Sequence, residues 1–80
     1  MKLNNKIIKE MLLQIENDVD GSKNFAIHDY RNEKFAGYPP DVARYHMNHL
    51  VVEGHILSND AGYFWDISAK GRDFLKNHSG

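Results

Sequence analysis

The chain has 80 residues, of which 41% are hydrophobic and 26% charged, a balance typical of one small globular domain and not of a disordered tail. Its formal net charge is −1, whereas nucleic-acid-binding domains are commonly strongly basic. It has no cysteine, which excludes disulfides and thiolate metal sites. We therefore expect a single domain over residues 1–80 with a small hydrophobic core.

The N-terminal segment has the pattern of an amphipathic helix. Lys6, Lys9 and Glu10 interrupt its apolar residues, so it lacks the continuous hydrophobic run of a signal peptide or a membrane span. The apolar residues recur at helical spacing and form one stripe, consisting of Leu3, Ile7, Ile8, Met11, Leu12 and Ile15. We expect a soluble cytoplasmic protein that does not contact a membrane.

Residues 17–38 are harder to interpret. Turn-forming residues at positions 17–22 end the first helix, because they compete for its backbone hydrogen bonds. Phe25, Ala26 and Ile27 then predict a short strand. Residues 28–38 carry charges of alternating sign, and a hairpin arm, a loop and a short helix all remain open for this segment.

The segment from Gly37 to Ile56 predicts a central helix with a defined start and stop. Pro40 suits the first helical position, where its missing N–H would have no partner, and Asp41 complements the positive end of the helix dipole. Gly54 is suited to the left-handed conformation that closes many helices. The prediction is a helix from Pro40 to about Glu53.

A hairpin and a last helix follow the central helix. Residues 54–58 and 63–67 predict two strands joined by a turn at 59–62. Period-two alternation places Tyr63, Trp65 and Ile67 on one face of the second strand, and Phe64 on the other. Ser68 predicts a helix cap for Ala69 to Asn77.

Gly71 lies inside this last helix, where glycine costs about 1 kcal/mol relative to alanine. This cost predicts close backbone packing at Gly71, and we expect the first helix to be its neighbour.

This order of elements predicts the α+β class, and within it a winged helix: three helices with a small antiparallel sheet and a β-hairpin wing. Two motifs resemble those of winged-helix proteins. The run His46-Met47-x-x-Leu50-x-x-x-Gly54-x-Ile56 resembles the HL..L...GLI signature of the recognition helix and the first wing strand. The run Ile67-Ser68-x-x-Gly71-x-x-Phe74-Leu75 resembles the LT..G..FL start of the last helix.

More narrowly, residues 37–56 and 67–75 are similar to a family of small bacterial and phage-borne winged-helix proteins known only as a domain of unknown function. The resemblance implies the fold and leaves the activity open.

The scaffold favours a DNA-binding transcriptional regulator of bacterial or phage origin that binds double-stranded DNA through its central helix. The predicted base readers lie on the outward face of that helix and are Arg44, Tyr45 and Asn48; the predicted phosphate contacts are Arg31, Lys34 and Lys70. Arginine and asparagine can pair with base edges in the major groove. Residues 39–58, however, hold one arginine against Asp41 and Glu53, a formal charge of −1, which disfavours DNA.

The alternative is a protein–protein interaction module, either a phage-type inhibitor or a homodimerising adaptor, that uses the same scaffold without DNA. The chain carries many aromatic and aliphatic side chains for one small core, and such residues are favoured at interface centres. The predicted apolar patch consists of Tyr38, Tyr45, Val51, Val52, Tyr63 and Phe64. Of these, the predicted interface residues are Tyr38, Val51, Tyr63 and Phe64. A dimer through the first and last helices is a further expectation.

Catalysis and metal binding have little support in the sequence. No serine or threonine has a recognisable histidine and carboxylate arrangement, and there is no glycine-rich phosphate loop, so we expect no enzyme and no cofactor. His46 and His49 lie one helical turn apart, but a closed zinc site needs four ligands. We therefore expect no metal to be bound. In the winged-helix proteins that the chain resembles, the residue matching His46 packs or caps, and the resemblance implies the same role for His46.

Overall fold

The structure is a computed structural model that describes residues 1–78. Over that range the fold is α+β, with four helices and one antiparallel sheet of three strands in the order β1-β3-β2. The elements are α1 (Asn5–Asp18), β1 (Phe25–Ala26), α2 (Ile27–Asn32), α3 (Pro40–Val52), β2 (Ile56–Ser58), β3 (Tyr63–Ile67) and α4 (Ala69–Asn77). The expected number of helices, three, is wrong because the segment left open at 28–38 contributes α2.

Helix α1 lies over the core with its apolar stripe, as predicted. Its buried residues are Ile8, Met11, Leu12 and Ile15. Leu3 does not belong to this buried stripe, because the helix begins two residues later. Asn4 is the N-cap, and its side chain accepts the Lys6 backbone N–H at 2.9 Å.

Residues 28–38 are held in place by aromatic packing. The ring of Tyr30 on α2 contacts the rings of Phe25, Phe35 and Phe64, all nearly perpendicular to it. Its hydroxyl donates to Asp18 at the end of α1, at 2.8 Å. The anchoring depends on long-range contacts, which explains why the local sequence pattern left the segment open.

Helix α3 agrees with the predicted bounds to within one residue. It begins at Pro40 and ends at Val52, with Glu53 as the C-cap. Gly54 then has a φ of +74°, the left-handed conformation in which glycine carries no Cβ penalty. The inner face of the helix is buried and consists of Ala43, His46, Met47 and Leu50.

A β-bulge interrupts the hairpin. Leu57 pairs with Asp66, but the next residue of β2, Ser58, pairs with Phe64, so Trp65 has no partner in β2. The extra residue brings Phe64 to the same buried side as Ile67, although the two are three positions apart. The predicted alternation, which placed Phe64 and Ile67 on opposite faces, is wrong for this reason.

Helix α4 docks onto the start of β2. Ser68 caps it as predicted, because its hydroxyl accepts the Gly71 N–H at 3.2 Å. A Cβ atom at Gly71 would overlap the carbonyl oxygen of His55. The predicted close packing is therefore present, but its partner is the backbone of His55 and not α1.

Candidate functional site

The outward face of α3 carries the residues predicted to read DNA. Arg44, Tyr45 and Asn48 are all exposed, and Asp41 lies on the same side at the first turn. They are exposed because Ala43, Met47 and Leu50, at the intervening helical positions, face the core. The structure thus brings this predicted group together on one surface.

The basic groups near this surface have polar partners. Arg44 donates from Nη2 to the Asn32 side-chain oxygen of α2 at 2.9 Å. Lys70, a predicted phosphate contact on α4, forms an ion pair with Glu53 at 3.2 Å. The charged residues of α3 and its C-cap are one cation, Arg44, and two anions, Asp41 and Glu53. This segment therefore has no excess of positive charge.

The other two predicted phosphate contacts line different hollows of the surface. Lys34 lines a hollow next to α1 and α2, together with the carboxylates Asp29 and Glu33. Arg31 is half-buried in a different groove, between α2 and the hairpin turn at residues 59–62. The structure therefore gives these two predicted contacts different surroundings.

An apolar surface follows the exposed side of α3 instead. Val52 is 81% exposed and Tyr45 is 38% exposed, and both line a shallow groove together with Leu3. We call these three residues the α3 apolar face. The apolar pattern of the sequence placed Leu3 in the stripe of α1. The signal for an exposed position is Asn4, a capping residue after which α1 begins, so that Leu3 lies outside the helix.

The four predicted interface residues differ in their exposure to solvent. Phe64 is fully buried and packs in the core, so its prediction as an interface residue is wrong. Val51 packs against the core and is half-buried. Tyr38 is also half-buried, and its hydroxyl donates to Glu10, which raises the pKa of the tyrosine. Tyr63 is exposed.

Tyr63 is one of three large apolar residues that are exposed on the strands of the hairpin. Leu57, Tyr63 and Trp65 are between 36% and 45% exposed. Trp65 owes its position to the bulge, since β2 offers it no partner. The period-two alternation of the strand predicted that Tyr63 and Trp65 share a face, and both are exposed. The alternation contains no signal for the bulge.

His46 uses both ring nitrogens within the fold. Its Nδ1–H donates to the Val42 carbonyl at 2.9 Å, and its Nε2 accepts the Asn4 backbone N–H at 3.2 Å. Nε2 must accept in this arrangement, because a backbone N–H can only donate, and Nδ1 is then the nitrogen that donates. This geometry makes His46 the packing and capping residue that we expected.

His49 is turned toward His55, whose ring centroid lies 5.5 Å away. Within residues 1–78, no group of three or more histidine, aspartate or glutamate side chains is placed to hold a metal ion.

His55 is buried among α3, β2 and α4. It is 5% exposed, its ring lies 5.6 Å from that of Phe74, and its Nδ1 has no hydrogen-bond partner among residues 1–78. Burial lowers the pKa of His55, and the nearby His49 and Lys70 lower it further. The site therefore favours a neutral imidazole.

Comparisons with other proteins add no relative to this description. No known protein family, curated protein or solved structure matches the chain. None of the helices described within residues 1–78 has the length and hydrophobicity needed to span a bilayer. The resemblance to small winged-helix proteins accordingly stays a prediction.

Proposed function

We propose that this α+β domain is a winged helix that binds another protein through the α3 apolar face. The order of elements supports the winged-helix assignment: α2 and α3 pack together as consecutive helices, and the hairpin β2-β3 follows directly. In this assignment α3 is the recognition helix and the hairpin is the wing.

A single observation carries the choice of a protein partner. The most outward position near the end of α3 is occupied by Val52, at 81% exposure, on the same surface as Tyr45 and Leu3. Contiguous exposed apolar side chains on a small domain are typical of interaction surfaces. Aromatic anchors such as Tyr45 are enriched at interface centres.

DNA binding is the second candidate, favoured by one observation. Arg44 and Asn48 are exposed one helical turn apart, and these residue types read guanine and adenine by paired hydrogen bonds. The charge on α3 opposes this function, because phosphate contacts by cations supply most of the affinity for DNA. Arg44 would also have to leave Asn32 to reach a base.

Site-specific photocrosslinking tests the proposed function. The crosslinking amino acid p-benzoylphenylalanine is placed at Val52 and, as a matched control, at the exposed Glu16 on α1. We expect a discrete protein adduct in cells from position 52 only, and its loss when Tyr45→Ala is added. Equal adducts from both positions, or none from position 52, would contradict the proposal.

A titration with duplex DNA at low salt tests the second candidate. The proposed function predicts no mobility shift for a mixed pool of duplexes. A shift that weakens steeply with salt and is reduced by Arg44→Ala, but not by Val52→Ala, would instead establish DNA binding.

A further inference from the structure

A groove separates α2 from the hairpin turn, on a part of the surface that does not include the α3 apolar face. We call it the α2–turn groove. Its walls combine apolar and polar side chains, with Ile27 and Arg31 from α2, Val51 from α3, and Asp60 and Tyr63 from the hairpin. A concave site with apolar walls and a few polar groups is the usual form of a ligand site.

Arg31 is the unusual member of this groove. Its Nε is buried and has no hydrogen-bond acceptor among the residues described. No carboxylate within the range 1–78 lies at ion-pair distance from its guanidinium, although Asp60 lines the same groove.

The other two arginines differ, because Arg44 bonds to Asn32 and Arg72 pairs with Asp66. Since the Nε of Arg31 is shielded from solvent and none of its N–H groups bonds to an acceptor within residues 1–78, the terminal N–H groups of the guanidinium are the ones that can donate to a ligand in the groove.

The chemistry of the groove restricts which hydrogen-bond acceptor can bind to Arg31. Guanidinium presents a planar fork of N–H donors that matches a carboxylate in a two-bond arrangement. Asp60 carries a negative charge in the same groove, which disfavours a doubly charged anion such as phosphate more than a singly charged one. Val51 and Tyr63 offer contact to an apolar body next to the charged group.

We propose that the α2–turn groove binds a carboxylate attached to an apolar body, with Arg31 as the residue that pairs with the carboxylate. Two sources share this chemistry: a free small organic acid and the C-terminal carboxylate of a peptide. The site is separate from the α3 apolar face, so it goes beyond the proposed function and does not depend on it.

Titrations followed by backbone amide shifts test this inference. The probe is sodium phenylacetate, and phenylacetamide, which has the same ring but no charge, is the matched control. We expect saturable shifts for the amides of residues 27–31 and 60–63 with the acid and not with the amide. The Kd should rise about tenfold or more in Arg31→Gln, because each lost charge-assisted hydrogen bond weakens binding strongly.

Two further variants sharpen the test. Asp60→Asn should lower the Kd for phenylacetate, because it removes the competing negative charge. Arg44→Gln removes an arginine outside the groove and should leave the Kd unchanged. The amide spectrum of each variant also reports whether it is folded.

The titrations distinguish the two sources of the carboxylate from each other, and they also show whether the proposal fails. An acetylated pentapeptide ending in a free phenylalanine carboxylate that binds about tenfold more tightly than phenylacetate would assign the site to peptide termini; equal or weaker binding would assign it to small acids. Shifts that do not saturate, that persist in Arg31→Gln, or that inorganic phosphate reproduces at equal affinity would overturn the proposal.

Discussion

His46 on α3 accepts the backbone N–H of Asn4, the residue that caps α1, at 3.2 Å across 42 positions of sequence. The same ring donates to the Val42 carbonyl one turn earlier on its own helix. One buried imidazole thereby joins the start of α1 to α3, close in sequence to Leu3 and Tyr45, which line one groove.

Replacing His46 should destabilise the domain. His46→Leu leaves the Asn4 N–H without its acceptor, and we expect the free energy of unfolding to fall by about 1–3 kcal/mol. Urea denaturation measures this change. His28→Leu, at an exposed histidine on α2, is the control and should change stability by no more than about 0.5 kcal/mol. Equal effects of the two substitutions would contradict the role given to His46.

Gly71→Ala should destabilise the fold even though alanine is the better helix former by about 1 kcal/mol. The added methyl group would overlap the backbone carbonyl of His55, which cannot move without shifting β2. We expect a net loss of about 1–3 kcal/mol in the free energy of unfolding, as found for overpacked sites. Thermal unfolding next to Lys70→Ala, an exposed neighbour, checks this, and a stabilised Gly71→Ala would show that α4 does not pack as described.

His55 should make stability depend on pH. Its pKa is lowered in the folded state by burial, so the unfolded chain, with a pKa near 6.5, takes up the proton first as pH falls. The contribution of His55 is therefore fully present above about pH 6.5 and is lost as pH falls through the lower folded pKa. The Tm of the wild type should drop between pH 7.5 and pH 5 by more than that of His55→Leu. Parallel curves for the two proteins would refute this role.

The β-bulge predicts opposite outcomes at adjacent residues. Phe64→Ala should lower the free energy of unfolding by about 3–5 kcal/mol, because the ring is fully buried against Phe25 and Tyr30. Tyr63→Ala, at 45% exposure, should cost about 1 kcal/mol or less. Chemical denaturation of both variants measures the contrast, and the reverse order would place the bulge elsewhere.

Arg31 should be dispensable for folding. In the absence of a ligand, Arg31→Met removes a half-buried cation whose Nε has no acceptor in the described part of the chain, and it keeps most of the side-chain volume. We expect a free energy of unfolding that is unchanged or raised by about 1 kcal/mol. Denaturation in a buffer without carboxylates is the measurement. A clear loss of stability would indicate that Arg31 serves the fold and not a ligand.

Local patterns in the sequence were sufficient to predict the positions of three helices. The stripe of Met11, Leu12 and Ile15 predicted α1, and Pro40 with Gly54 predicted the bounds of α3 to within one residue. Ser68 predicted the start of α4. These features depend on helical periodicity and on the conformational limits of proline and glycine, which act over a few neighbouring residues.

The tertiary structure decided the features that depend on distant partners. Helix α2 is held by contacts of Tyr30 with Asp18 and Phe64, and the neighbour of Gly71 is the backbone of His55. The bulge moved Phe64 from the predicted interface into the core. Periodicity records which side chains share a face of one element, but burial and charge pairing arise only when separate elements meet, so the candidate site could be located only in the folded chain.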